Sequence, residues 1–134
     1  MRRVVLDTSA YSLLMRGRNE AAELLDAADE VYLPAVVIGE LLAGFKKGSS
    51  EQRNREILDR FLAISRVAIL PLDEEAAERY AVILDFLRRQ GATIPTNDLW
   101  IAAHTFETGS VLVTFDEHFE RIPNLRVMRF EPSP

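Results

Sequence analysis

Four carboxylates stand where carboxylates are costly. Asp7 follows the apolar run "RVVL", and Asp116 comes just after "SVLVT". Asp98 opens the apolar stretch "LWIAA", and Glu40 is the only charge within "LPAVVIGELLAGF". At about 100 degrees per helical residue, Asp98 shares a face with Ile101, Ala102 and Thr105, the side expected to pack. Glu40 lies away from the bulky Val37, Ile38, Leu41, Leu42 and Phe45, beside Val36, Gly39, Ala43 and Gly44. A solvated helix face normally carries several charges. This one carries small residues that let a ligand or a backbone approach, so Glu40 is expected to reach into a crevice. A buried lone carboxylate is unfavourable unless paired or metal-bound, and four sharing one crevice raise each other's pKa values unless cations intervene. All-oxygen donor sets suit Mg²⁺ or Mn²⁺, one or two ions in such a site. Ions of this kind activate water and clamp the oxygens of a phosphodiester during in-line displacement.

Composition restricts the alternatives. The chain has 134 residues, about half of them hydrophobic, and no cysteine. One core is expected, burying roughly two thirds of the unfolded surface. Disulfides and thiolate zinc sites are excluded, leaving oxygen and imidazole as ligands. No Ser/His/Asp arrangement for covalent catalysis is recognisable. The net charge of −5 argues on its face against a nucleic-acid partner, but bound cations reverse the local sign around gathered acids. Lys46/Lys47, Arg16/Arg18, Arg53/Arg55 and Arg88/Arg89 form basic clusters that serve either as solvated helix faces or as phosphate contacts. The N-terminal apolar run is too short for a signal peptide, and no later run approaches about 20 apolar residues. A cytoplasmic protein with no membrane partner is expected.

The elements that must position the acids alternate. Val4 to Leu6, Val31 to Leu33, Val67 to Leu70, Val111 to Val113 and Arg126 to Phe130 read as strands. Helices are expected over Thr8 to Met15, Glu20 to Ala28, Ala35 to Phe45, a segment capped by Ser49 or Ser50, Asp73 (as cap) to Gln90, and Asp98 to Thr108 with Asn97 as its cap. Gly91 and Gly109 stop the last two. The whole chain, 1–134, reads as a single α/β domain, a central parallel sheet flanked by helices on both faces. Its tail, 131–134, is expected to be poorly ordered. In open parallel sheets ligands sit at the carboxyl ends of the strands, and Asp7 and Asp116 both stand there. If their strands are neighbours, the two converge on one rim.

In order along the chain, "VVLDTSA", "VIGELLAG", "PTNDLWIAA" and "LVTFDEHF" resemble the PIN domain, and within it the VapC-type toxins of toxin–antitoxin pairs. The resemblance covers nearly the whole chain. It implies that Asp7, Glu40, Asp98 and Asp116 form the acidic metal site of a Mg²⁺- or Mn²⁺-dependent endoribonuclease leaving 5′-phosphate and 3′-hydroxyl ends. Thr8 and Ser9 match hydroxyl positions after the first acid, Thr114 one before the last, and Asn97 a polar neighbour of the third. Turn and cap hydrogen bonds explain these four equally well. The family further implies an RNA substrate, a homodimer and a small VapB-like antitoxin. One departure stands out: many relatives place another acid two residues after the Asp116 position, where this chain has His118. An imidazole there alters metal affinity, touches substrate phosphate, or stands in solvent. His104 is not expected to be catalytic, and Trp100 belongs either to a dimer interface or to the core.

Rival enzymes fit less well. A haloacid-dehalogenase-like phosphatase wants an Asp where Ser9 stands, and a phospho-receiver domain wants a late lysine, whereas no lysine follows Lys47. A PIN-fold RNA-processing nuclease outside a toxin–antitoxin pair remains an alternative. So does a non-catalytic scaffold for RNA or protein, although a scaffold would be expected to lose acids that this chain keeps.

Overall fold

The chain crosses one sheet five times, always in the same direction. In the computed structural model, which describes residues 2–131, the elements run β1 (Arg3–Leu6), α1 (Thr8–Met15), α2 (Asn19–Ala27), β2 (Glu30–Pro34), α3 (Ala35–Lys47), α4 (Glu51–Leu62), β3 (Val67–Leu70), α5 (Glu74–Arg89), α6 (Thr96–Thr108), β4 (Val111–Thr114) and β5 (Val127–Arg129). The strands lie in the order β3-β2-β1-β4-β5, and every pairing is parallel. The expected tail from Pro132 onward lies outside the described residues.

Parallel pairing follows from the helical crossovers and from strands that are apolar without alternation. Val4, Val5 and Leu6 are all buried, as are Leu112, Val113 and Thr114. Successive side chains on a strand point to opposite faces, so both faces of β1 and β4 are covered, as a parallel sheet requires. Phe119, Leu33, Leu58, Leu87 and Ile101 fill the core around them, with Tyr11 edge-on to Phe61 at 5.4 Å between centroids.

The strand order locates a crevice. From the central β1 the chain builds outward through β2 to β3, then returns across the sheet to lay β4 on the other side of β1. The loops leaving β1 and β4 therefore diverge, and such a switch point is where open α/β sheets bind ligands. The register sets Leu6 opposite Val113, and the amide of Asp7 reaches the carbonyl of Val113 at 3.3 Å. The two strands are neighbours, so the residues that follow them, Asp7 and Asp116, stand on one rim.

Two caps differ from the sequence reading. Helix α6 begins at Thr96, with Pro95 in the cap position at φ −56° and ψ 145°; Asn97 is an exposed residue of the first turn rather than the cap. Proline presets the extended entry angle but offers no side-chain acceptor to the first-turn amides. Ser50 precedes α4 without a capping hydrogen bond. Asp73 does cap α5, accepting from the Ala76 amide at 2.9 Å, and Gly109 ends α6 at φ 65°, a left-handed conformation that glycine adopts without strain.

Candidate metal centre

Three of the four acids stand at the starts of helical turns. Asp7 is the N-cap of α1: its carboxylate accepts from the Ala10 amide at 2.8 Å. Asp98 lies in the first turn of α6. Asp116 precedes a short 3-10 turn, Glu117–Arg121, and accepts from the His118 amide at 3.0 Å. Helix N-termini carry unsatisfied amides and a partial positive charge, which favour carboxylates there. Glu40 enters from the middle of α3. It is exposed, yet it does not point into open solvent: Thr8 donates its hydroxyl to Glu40 Oε1 at 2.8 Å, and Glu40 lines one cavity with Asp7, Thr8, Ser9, Asp98 and Asp116. An adjoining opening of about 410 Å³ is lined by Glu40, Asn97, Asp98, Asp116 and His118.

Two hydroxyls bind the β1 and β4 loops together through Asp7. Ser9 donates to Asp7 Oδ1 at 2.7 Å and accepts from the Phe115 amide at 3.1 Å. Thr114 donates to Asp7 Oδ2 and accepts from the Asp116 amide at 2.8 Å. Each hydroxyl has one proton and a free lone pair, and each spends both in this relay. Thr8, Ser9 and Thr114 thus orient acids in this structure. Asn97 stands at the mouth.

Electrostatics records the crowding. Burial raises the Asp7 carboxyl above the usual carboxylate range, against the lowering effect of its hydrogen bonds from Thr114, Ser9 and the Ala10 amide; Asp116 pushes it further up. Asp98 is pushed up to about 6, first by burial and then by the charges of Asp116 and Asp7, with His118 working in the opposite direction. Carboxylates held together without counter-charge behave in this way, and a divalent cation would reverse it. Among the described residues, Asp98, Asp116 and His118 can each aim one ligand atom within 4.8 Å of the others. The carboxylate oxygens suit Mg²⁺ or Mn²⁺, so the donor chemistry fits a hard divalent ion. A roomier groove of about 520 Å³ lined by Val82, Ile83, Phe86, Phe106 and Ile122 contains only one acid, Glu78, and offers no such set.

The comparisons agree with this geometry. A family model described as the PIN domain matches residues 4–125. The chain belongs to the PIN domain family. Within it, the chain is 32% identical over 128 residues to Ribonuclease VapC1 of Haemophilus influenzae, covering 91% of this chain and 93% of the relative. It is 27% identical over 128 residues to Ribonuclease VapC4 of Mycobacterium tuberculosis, covering 96% and 97%. These relatives make it a VapC-type PIN domain, as the four motifs suggested. Among solved structures it is similar to VapBC2 from Rickettsia felis bound to a promoter DNA fragment, at a TM-score of 0.86 and 26% identity over 96% of this chain and 99% of that one. It is also similar to VapBC-1 from nontypeable Haemophilus influenzae, at 0.83 and 26% over 95% and 97%. Among the described residues no helix is long and apolar enough to cross a membrane.

One member of this centre was only half visible in the sequence. His118 stands with its Nδ1 3.1 Å from Asp116 Oδ1 and 3.4 Å from Asp98 Oδ2. Its two-residue spacing from Asp116 was the available signal; its direction was not. The other histidine, His104, is fully buried, its Nδ1 3.4 Å from Glu107. Trp100 is half-buried and stacks on Tyr80 of α5 at 4.1 Å.

Proposed function

We propose that this chain is a Mg²⁺- or Mn²⁺-dependent endoribonuclease that acts as the toxin of a VapBC pair. The observation that carries the reading is the meeting of Asp7, Glu40, Asp98 and Asp116 in one cavity at the β1/β4 switch point. Asp98, Asp116 and Asp7 would hold one or two ions, directly or through water. When bound, such an ion supplies Lewis-acid activation of water and charge neutralisation at the scissile phosphate. Ser9 and Thr114 hold the Asp7 carboxylate in place, which keeps the β1 and β4 loops at a fixed separation. Glu40, restrained by Thr8, completes the shell or orients the attacking water as it loses a proton. Asn97, exposed at the mouth, is placed to donate a hydrogen bond to the RNA backbone. In-line displacement with departure of the 3′ oxygen leaves 5′-phosphate and 3′-hydroxyl ends.

The partners follow from the relatives. Solved neighbours carry VapB antitoxins, some with DNA, so a VapB-like protein is the proposed inhibitor, and a homodimer the proposed assembly in the cytoplasm. The test compares cleavage of structured RNAs by the wild type and by Asp98→Asn, each with Mg²⁺ and with EDTA. The reading requires cleavage that EDTA abolishes and the variant lacks. Cleavage that survives in both conditions refutes it.

A further inference from the structure

His118 lies outside the four-acid set, yet its ring occupies the site. We infer that His118 is a direct metal ligand, adding a nitrogen to the oxygens of Asp98 and Asp116 and shifting this centre's preference from Mg²⁺ toward Mn²⁺. The inference rests on the metal-dependent reading above and deepens it by naming the donor set.

The Nδ1 atom stands 3.1 Å from Asp116 Oδ1 and within hydrogen-bond reach of Asp98 Oδ2 at 3.4 Å, so an ion seated between the two carboxylates would take the place of the proton that the ring now shares with them. All three residues can bring a ligand atom within 4.8 Å of the others. The backbone that carries the ring is held on two sides. Its own amide donates to Asp116 Oδ1 at 3.0 Å, and the next residue, Phe119, is fully buried and anchors the short turn. The side chain is 40% exposed, so Nε2 can carry its proton into water while the Nδ1 lone pair faces the ion.

The chemical consequence concerns which ion binds. Mg²⁺ favours oxygen ligands, whereas imidazole suits the transition metals, whose affinities rise along the series from Mn²⁺. An imidazole beside the four acids adds a nitrogen donor that Mn²⁺ accepts more readily than Mg²⁺ does.

Pulsed electron paramagnetic resonance of the full chain loaded with Mn²⁺ tests this directly, because a coordinated imidazole nitrogen modulates the echo of the bound ion. The wild type should show that modulation. His118→Asp should bind Mn²⁺ without it, and competition calorimetry should find its Mn²⁺-over-Mg²⁺ preference reduced about tenfold. Asp116→Asn identifies the site, since specific Mn²⁺ binding must weaken in that variant. Bound Mn²⁺ that depends on Asp116 but shows no nitrogen coupling in the wild type overturns the His118 assignment and leaves the nuclease reading standing. Modulation that persists in His118→Asp, where His104 remains, overturns it too. No Mn²⁺ binding that depends on Asp116 overturns both. Were His118→Asp not to fold, the spectrum of His118→Gln would decide on the same two outcomes.

Discussion

Replacing Asp98 with asparagine should strengthen the metal-free fold while disabling the site. The carboxyl of Asp98 is pushed from an ordinary 3.8 to about 6, chiefly by burial. The folded state therefore holds the proton more tightly than the unfolded chain. The associated stability is fully present below pH 3.8 and is lost as pH rises through about 6. At about 1.36 kcal/mol per pH unit, the ceiling on that loss is about 3 kcal/mol. Asp98 keeps 17% of its side-chain surface in water and has His118 beside it, so screening lowers the realised gain of the amide to about 1–2 kcal/mol. An unfolding entropy of about 2.1 cal/mol/K per residue over 134 residues converts this to a Tm increase of about 4–7 °C at pH 8. Scanning calorimetry in EDTA should show that increase shrinking as pH falls from 6 toward 4. With Mg²⁺ at 100 times its dissociation constant, the wild type should gain about 2.7 kcal/mol, and Asp98→Asn much less. A folded variant whose Tm at pH 8 is unchanged or lower, or whose gain persists undiminished at pH 4, would refute the reasoning.

The relay at Asp7 gives a different signature. Thr114→Val removes a buried donor to Asp7 and a buried acceptor for the Asp116 amide, and should cost about 2 kcal/mol in urea unfolding together with most of the activity; Thr114→Ser should recover both. Glu40→Gln should abolish RNA cleavage with a Tm within about 2 °C of wild type, because Glu40 is exposed and its one hydrogen bond, from Thr8, survives in the amide. Trp100→Ala should cost about 2–3 kcal/mol by removing the stack on Tyr80, with Mg²⁺ affinity unchanged. Burial, then Asp73, pushes Glu107 up to about 7, so the stability lost on raising the pH from 5 to 8, set against the opposite contribution of buried His104, should be smaller in Glu107→Gln than in the wild type.

Much of this was legible because the relevant signals are local. Asp7 and Asp116 could be placed at strand ends from "VVLD" and "LVTFD" alone, since an apolar run ending in an acid marks where a strand leaves the core. That β1 and β4 are neighbours is a fact about residues more than 100 positions apart, and no periodicity within either strand records it. The short turn Glu117–Arg121 escaped because five residues are too few to show a helical pattern, and with it went the direction of His118. The wheel for α6 also separated too cleanly. Asp98, Ile101, Ala102 and Thr105 share the side expected to pack, and Ile101, Ala102 and Thr105 are buried, but His104 on the other side is fully buried too, because α5 packs against α6 there. A helix held between a sheet and another helix has no solvent face to reveal its orientation.

The same crowding explains why so much polar machinery surrounds one aspartate. Asp7 is 5% exposed and accepts from two hydroxyls and an amide, yet burial still outweighs them and raises its carboxyl. Hydrogen bonds to a buried carboxylate replace lost water only in part. Without an ion, the centre is a place where the fold is held against its own electrostatics. A divalent cation removes the repulsion and stabilises the native state in proportion to its affinity. If the site takes a metal as proposed, metal binding and fold stability form one linked equilibrium. Any substitution that relieves the repulsion without supplying charge, Asp98→Asn first among them, should trade the first for the second.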